Sequence, residues 1–385
     1  MAHSIVLHIG PRKTGSTFLQ RALTGIAPEL ASAGILYPTL IAGVQRHNHV
    51  APTYAVPGAR DGRSIDRWAD VGPSVLNDFV RQVTVWDGPV IISSEALGGM
   101  TTSGIRDFLS HLPEVPITVI ATIRALPSVV LSSWAQHVRN MHRESLRSYI
   151  ERRIEERRDL PADVRWEQWD TDPHQTFWRS YDYPGLLTRW SRLGVTTRAV
   201  IVPPSHAPAT ELWSRFRRAT ALDALPIQAP QIDEVGANTS MRIEELEVIR
   251  HVAKHAVDMG LTDADLTPLR GHRWMPADHL RPPEGSRPGL NELEAKVLQE
   301  WATSDVAALE SLDIEIVGDV SDLVEPGRSS APADARLYAE SAGYLVADYI
   351  MRDDLRRSRR FRRWFGRWRR KIRHTWSAVK RRILP

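Results

Sequence analysis

The chain of 385 residues contains no cysteine. That single absence excludes disulfides, thiolate nucleophiles, Cys-built zinc sites and iron–sulfur clusters, so the fold must rest on packing. Long apolar runs are missing as well: no segment approaches the roughly 20 apolar residues that span a bilayer. The first apolar stretch is interrupted early by His8, Gly10, Arg12 and Lys13, which does not fit a secretory leader. No internal repeat is visible. These absences predict a cytoplasmic protein, free or associated with a surface.

Charge is unevenly spread. The overall +4 conceals a tail, residues 352–385, in which fifteen Arg or Lys face only Asp353 and Asp354. A tail of +13 therefore sits on a body of −9, and the two parts must be expected to meet different partners. With 42% hydrophobic residues the body is large enough to bury one sizeable core.

Short β-branched apolar runs at Ser4 to Ile9, Pro89 to Ser93, Pro116 to Ile123 and Val195 to Val202 predict strands, with a further short one at Ile314 to Val317. Between and after them lie helical patterns from Ser16, at Leu126 to Arg139, Ser145 to Arg158, Thr176 to Arg192, Met241 to Asp258 and Leu290 to Leu312, and from about Pro332 to Met351. Apolar strands alternating with helices predict a parallel sheet covered on both faces, an α/β/α three-layer fold with its site at the carboxyl ends of the strands. Residues 1–351 are expected to form this domain, with a helical acceptor-side insertion at about 140–192. Prolines 276, 282, 283 and 288 make Pro268 to Pro288 irregular.

His8-Ile9-Gly10-Pro11-Arg12-Lys13-Thr14-Gly15-Ser16-Thr17 joins the first strand to a helix, so backbone N–H groups converge where a helix dipole favours an anion. Lys13 adds a point charge, Ser16 and Thr17 add hydroxyl donors, and Gly15 permits close backbone approach. The pattern is not Walker A, because Arg12 rather than Gly precedes Lys13-Thr14 and Gly15 follows it. A plain strand-to-helix turn with a capping hydroxyl is the competing explanation. The strand Val119 to Ile123 ends on Arg124, and Ser132 follows eight positions later, about two helical turns on. An Arg and a Ser so placed can hold a phosphate from two sides; separately, either could be an ordinary surface residue.

With these two elements in this order, about 110 residues apart, the chain resembles sulfotransferases that use 3'-phosphoadenosine 5'-phosphosulfate, in particular bacterial enzymes similar to carbohydrate sulfotransferases. The likeness runs from His3 to about Val202 and again over Gly318-Asp319-Val320 and the late helix. It implies a P-loop-like fold, a 5'-phosphosulfate held by Arg12, Lys13, Thr14, Gly15, Ser16 and Thr17, and a 3'-phosphate held by Arg124 and Ser132. It also implies transfer without a metal. Asn238-Thr239-Ser240 matches an Asn-x-Ser element near the nucleotide in such relatives, so Asn238 and Ser240 join the expected contacts, although an N-cap explains them nearly as well.

Sulfuryl transfer is an in-line displacement that needs a base for the acceptor proton. Glu95, just past the second strand, faces the crevice of Lys13 and matches the Glu base of related carbohydrate enzymes. His49 and His47, in Arg46-His47-Asn48-His49, are the rivals. The expected catalytic set is therefore Lys13, Glu95 and His49. Trp166 and Trp169 are candidates for an acceptor lid, whereas the spacing of Trp178, Tyr181 and Trp190 suits packing.

In the tail, Phe361, Trp364, Phe365, Trp368, Ile372 and Trp376 recur every three or four residues among arginines, the pattern of a basic amphipathic helix on an anionic membrane. The aromatic anchors favour that over nucleic acid or a solvated end. The resemblance implies a carbohydrate acceptor, and membrane binding would favour a lipid-linked or glycolipid one. The alternatives to a sulfotransferase are a P-loop-type kinase, with Thr14 available to magnesium, and a non-catalytic membrane- or nucleic-acid-binding protein. Arg124 stands where a kinase of that type wants an Asp.

Overall fold

A computed structural model describes residues 1–56, 72–158, 160, 164–172, 175–225, 241–258, 262, 266 and 287–327. Their elements, in chain order, are β1 (Ser4–Gly10), α1 (Ser16–Gly25), α2 (Ala27–Ser32), α3 (Val50–Ala55), α4 (Pro73–Val85), β2 (Pro89–Ser93), α5 (Thr102–Ser110), β3 (Ile117–Ile123), α6 (Leu126–Arg139) and α7 (Leu146–Arg158). There follow α8 (Arg165–Thr171), α9 (Thr176–Tyr181), α10 (Tyr183–Ser191), β4 (Thr196–Ile201), α11 (Ala209–Ala219), α12 (Ile243–Asp258), α13 (Glu292–Glu310) and β5 (Glu315–Val317). A two-stranded ribbon, Leu40–Ile41 with Val44–Gln45, sits between α2 and α3. The described residues divide into two compact units, those within 1–133, 150–225 and 289–327, and those within 134–149, 241–266 and 287–288.

The first unit contains the five-stranded parallel sheet, in the order β2-β1-β3-β4-β5. All five expected strands form, with ends displaced by no more than one residue. Residues of alternate parity face opposite ways. On one face Val6, Ile91, Ile120, Val200 and Val317 meet Leu19 and Leu23 of α1 and Leu212 and Phe216 of α11. On the other, Ile5, Leu7, Ile9, Ile92, Val119 and Ile123 are equally buried, and α10 packs on β3 and β4. Full burial of each such side chain contributes about 1.5–3 kcal/mol, which explains how a sheet without covalent staples holds.

The pattern expected to form one helix from Thr176 to Arg192 is broken at Asp182 (φ −80°, ψ 83°) into α9 and α10. Pro184 is the cause: it has no N–H for the carbonyl one turn back, that of Ser180, and its ring obstructs that carbonyl. Below the break lies a buried charged network. Arg157 and Arg165 both donate to Asp305, Arg165 also to Asp182 at 3.1 Å, and Trp169 Nε1 to Asp182 at 3.2 Å. The Arg157 guanidinium lies 5.0 and 4.9 Å from the Trp178 and Trp301 ring centres. Burial pushes the Asp305 carboxyl up while Arg157 holds it down; the first effect is the larger.

In the second unit α12 carries Arg250 paired with Glu247, and His137 and His142 stack at 3.8 Å. The expected helix from Pro332, Asn238, Ser240 and the tail lie outside the described residues. No helix among the described residues is long and apolar enough to cross a membrane.

Candidate active site

Strand order reverses direction between β1 and β3, and the carboxyl ends of those two strands bound the crevice where ligands of open parallel sheets bind. The turn from β1 to α1 lies at that point. Along it φ is positive at Lys13 (66°), negative at Thr14 and positive at Gly15 (83°). Such alternation turns consecutive N–H groups to one side, a concavity suited to an anion. The unbonded first-turn N–H groups of α1 add to it, because Gly15 provides no side-chain cap and the first turn has no acidic residue. A left-handed Lys is uncommon and costs about 1 kcal/mol, so the surrounding structure must impose it.

Arg124, at the end of β3, reaches this turn: its guanidinium donates to the Lys13 carbonyl at 3.2 Å. Arg124, though not Ser132, thus shares one rim with the turn. Tyr183 fixes Arg124 from behind, donating from its hydroxyl to the Arg124 carbonyl (2.9 Å) and accepting from the Arg124 N–H (3.2 Å). Burial drives the Tyr183 phenol well above its ordinary range, so it stays neutral. Tyr181, two residues earlier, donates to the Arg12 carbonyl at 2.9 Å. The helix break at Asp182 therefore aims one tyrosine at each strand end. The spacing of Tyr181 with Trp178 and Trp190 suits packing, yet its hydroxyl serves the loop, and the signal that marks both tyrosines is the Tyr-x-Tyr astride the break.

Glu95 stands on the other side of the turn. A Cβ added to Gly10 would lie 2.8 Å from the Glu95 Cβ, so the glycine, at φ 73°, is what lets the carboxylate stand beside the loop. Gln20 of α1 donates to Glu95 Oε2 at 2.7 Å, leaving Oε1 without a partner among the described residues. Two buried arginines hold the turn that follows, Arg179 through the Gly99 carbonyl (3.2 Å) and Arg189 through the Gly98 carbonyl (3.1 Å). Burial lowers the Arg189 pKa to about 10, which still leaves it charged.

Several expected contacts are placed differently. Thr14 is fully buried and its hydroxyl points inward, 2.6 Å from both the Pro11 carbonyl and Thr122 Oγ1. Only its backbone can serve an anion. Gly15 accommodates a neighbour in addition to any ligand, since a Cβ there would meet Leu212 at 2.5 Å. Ser16 is buried and Thr17 exposed at the helix start. The Ser132 hydroxyl donates to the Val129 carbonyl at 3.1 Å, an ordinary helix-internal bond, and is not joined to Arg124.

His49 is fully buried, with both nitrogens committed: Nε2 lies 2.7 Å from the Pro38 carbonyl and Nδ1 accepts the Ser93 N–H at 2.8 Å. It has no lone pair left for an acceptor proton, so its place is structural. Trp169 is likewise buried against Asp182 and forms no lid, while Trp166 is half-buried under Arg192, 4.4 Å from its ring centre.

A buried polar chain underlies the turn. Ser93 Oγ and His8 Nδ1 are 2.7 Å apart, His8 Nε2 and Thr122 Oγ1 3.3 Å, and Thr122 Oγ1 and Thr14 Oγ1 2.6 Å. One donor per link satisfies the whole chain if Ser93 donates to a neutral His8, His8 to Thr122, Thr122 to Thr14 and Thr14 to the Pro11 carbonyl. Ser93 and His8 are register partners on β2 and β1, and Thr122 lies two residues beyond Ile120, the β3 partner of His8, so the three side chains tie the loop to β2, β1 and β3 together.

Burial lowers the His8 pKa to about 3 and, chiefly by the same cause, the His49 pKa to about 4. In the unfolded chain both return to about 6.5. The unfolded state then binds more protons below that value, so stability is full above pH 6.5 and is lost as pH falls toward 4. Between pH 7 and pH 5 each histidine is expected to remove about 2 kcal/mol. Urea unfolding at the two pH values checks this, and His49→Gln should halve the loss; equal stability at both would contradict it.

No family model matches the chain, and no curated protein or solved structure matches it either. The arrangement therefore has to be read from its own chemistry: two cations and a row of amide donors at one crevice, with a carboxylate beside them.

Proposed function

We propose that the protein is a sulfotransferase that moves a sulfuryl group from 3'-phosphoadenosine 5'-phosphosulfate to a hydroxyl or amine of a carbohydrate or glycolipid acceptor. The observation that supports this reading is the contact between the Arg124 guanidinium and the Lys13 carbonyl, which brings the end of β3 to the β1–α1 turn, as a nucleotide with an anionic group at each end would need in order to bridge them. The 5'-phosphosulfate would lie on the amides of residues 13–17 with the Lys13 ammonium at the bridging oxygen, and the 3'-phosphate at Arg124. The acceptor oxygen attacks sulfur while Glu95 Oε1 takes its proton. The sulfur–oxygen bond to the phosphate breaks, and the bridging oxygen leaves with adenosine 3',5'-bisphosphate, its charge met by Lys13.

A kinase reading finds less support. The Thr14 hydroxyl, the loop's candidate ligand for magnesium, is spent on Pro11 and Thr122. Incubation with a radiolabelled sulfate donor and carbohydrate or lipid extracts tests the proposal. Label should pass to an acceptor; hydrolysis of nucleoside triphosphate that a chelator abolishes, with no sulfate transferred, would overturn it.

The protein is proposed to be cytoplasmic and to be held at anionic membrane surfaces by its tail 352–385, within reach of lipid-linked acceptors. Full-length protein should sediment with vesicles containing anionic lipid and not with neutral ones. Equal sedimentation with both, or with neither, would exclude that role.

A further inference from the structure

The three cationic and anionic groups around the turn do not point the same way. Arg124 approaches the Lys13 carbonyl from the β3 side, where the nucleotide crevice lies. Arg12 leans to the β2 side. Its guanidinium donates to the Tyr54 hydroxyl at 3.1 Å, and Tyr54 belongs to α3, a helix fastened to the end of β2 by the His49 N–H on the Ser93 carbonyl (2.8 Å) and by the Thr53 and Ser94 hydroxyls 2.9 Å apart. That is the side on which Glu95 stands.

Arg12 is exposed, and apart from the bond to Tyr54 its N–H donors have no partner among the described residues; no ion pair joins it to Glu95. Withdrawal from water opposes its charge, but Tyr54, Glu95 and Tyr181 together outweigh that and hold its pKa above the ordinary value. The cation is thus anchored at its backbone by Tyr181 and at its tip by Tyr54, with its other N–H donors uncommitted among the described residues on the side of the base. A guanidinium so fixed suits a planar or tetrahedral oxyanion that it can meet with two parallel hydrogen bonds.

We propose that Arg12 is an acceptor-side anion subsite and not a donor contact, so that the preferred acceptor carries a carboxylate or sulfate group near the hydroxyl that Glu95 deprotonates. The inference rests on the sulfotransferase reading, and it reassigns Arg12 within that reading. Tyr54 acts as a positioning residue for the guanidinium.

The test uses full-length protein saturated with adenosine 3',5'-bisphosphate and three probes, glucuronate, glucose 6-sulfate and neutral glucose, with affinities measured by ligand-detected NMR. At least one anionic sugar should bind about tenfold more tightly than glucose, the scale of one charge-assisted hydrogen bond, and the two anionic arms separate carboxylate from sulfate recognition. Arg12→Gln should abolish the preference while the nucleotide Kd stays within about twofold of wild type, and Tyr54→Phe, which keeps the charge, should weaken it partially. Equal binding of all three sugars would overturn the proposal, as would a preference that survives Arg12→Gln. A nucleotide affinity that Arg12→Gln lowers as much as Lys13→Ala does would return Arg12 to the donor. Failure of wild-type protein to bind the nucleotide at all is a different result: it removes the sulfotransferase reading, and the subsite with it.

Discussion

Lys13→Ala is expected to lower kcat by about 10²- to 10³-fold, while the affinity for adenosine 3',5'-bisphosphate falls much less. The asymmetry follows from where charge develops. In the ground state the donor's sulfate and phosphate share their charge over several oxygens, and the amide row of residues 13–17 remains in place in the variant. As the sulfur–oxygen bond breaks, charge gathers on the bridging oxygen, the atom that the Lys13 ammonium is proposed to meet. An interaction made only in the transition state shows in kcat. The backbone at φ 66° is strained for any side chain with a Cβ, so alanine leaves the loop geometry as it is. Steady-state kinetics beside calorimetric titration separates the two quantities; equal loss in both would make Lys13 a binding residue only.

Glu95→Gln should be as damaging, at about 10²- to 10⁴-fold in kcat, because the amide cannot take the acceptor proton although it keeps the shape of the carboxylate. Gln20 makes this variant a fair comparison: its Nε2 donates to Oε2, an acceptor that glutamine also has. Nucleotide binding and thermal stability should change little. Near-wild-type turnover would dismiss Glu95 as the base, and since His49 has both nitrogens engaged, the search would then turn to groups outside this crevice.

How much of this could be read in the chain depends on how local each feature is. The strands were legible because each is a continuous apolar run buried on both faces, and the positions of Lys13, Arg124 and Glu95 just past strand ends were legible with them. The split between α9 and α10 was missed because apolar spacing runs through Asp182 unbroken and only Pro184 records the interruption. Tyr181 and Tyr183 act across 169 and 59 residues of sequence, and the chain from Ser93 through His8 to Thr122 spans three strands; no period or motif reports contacts of that kind. His49 was misassigned for a related reason. A histidine in a polar loop looks solvated until Pro38 and Ser93 are seen to close over it. Thr14 had the right residue type at the right spacing, and only the position of Thr122 turns its hydroxyl away from the crevice.

Everything proposed depends on one nucleotide touching both the opening turn and the end of the third strand. The structure of a crystal grown with adenosine 3',5'-bisphosphate tests this directly. The account predicts the 5'-phosphate within hydrogen-bond distance of the amides of residues 13–17 and the 3'-phosphate on the Arg124 guanidinium. A nucleotide bound with neither phosphate at these groups, or none bound at saturating concentration, would contradict it.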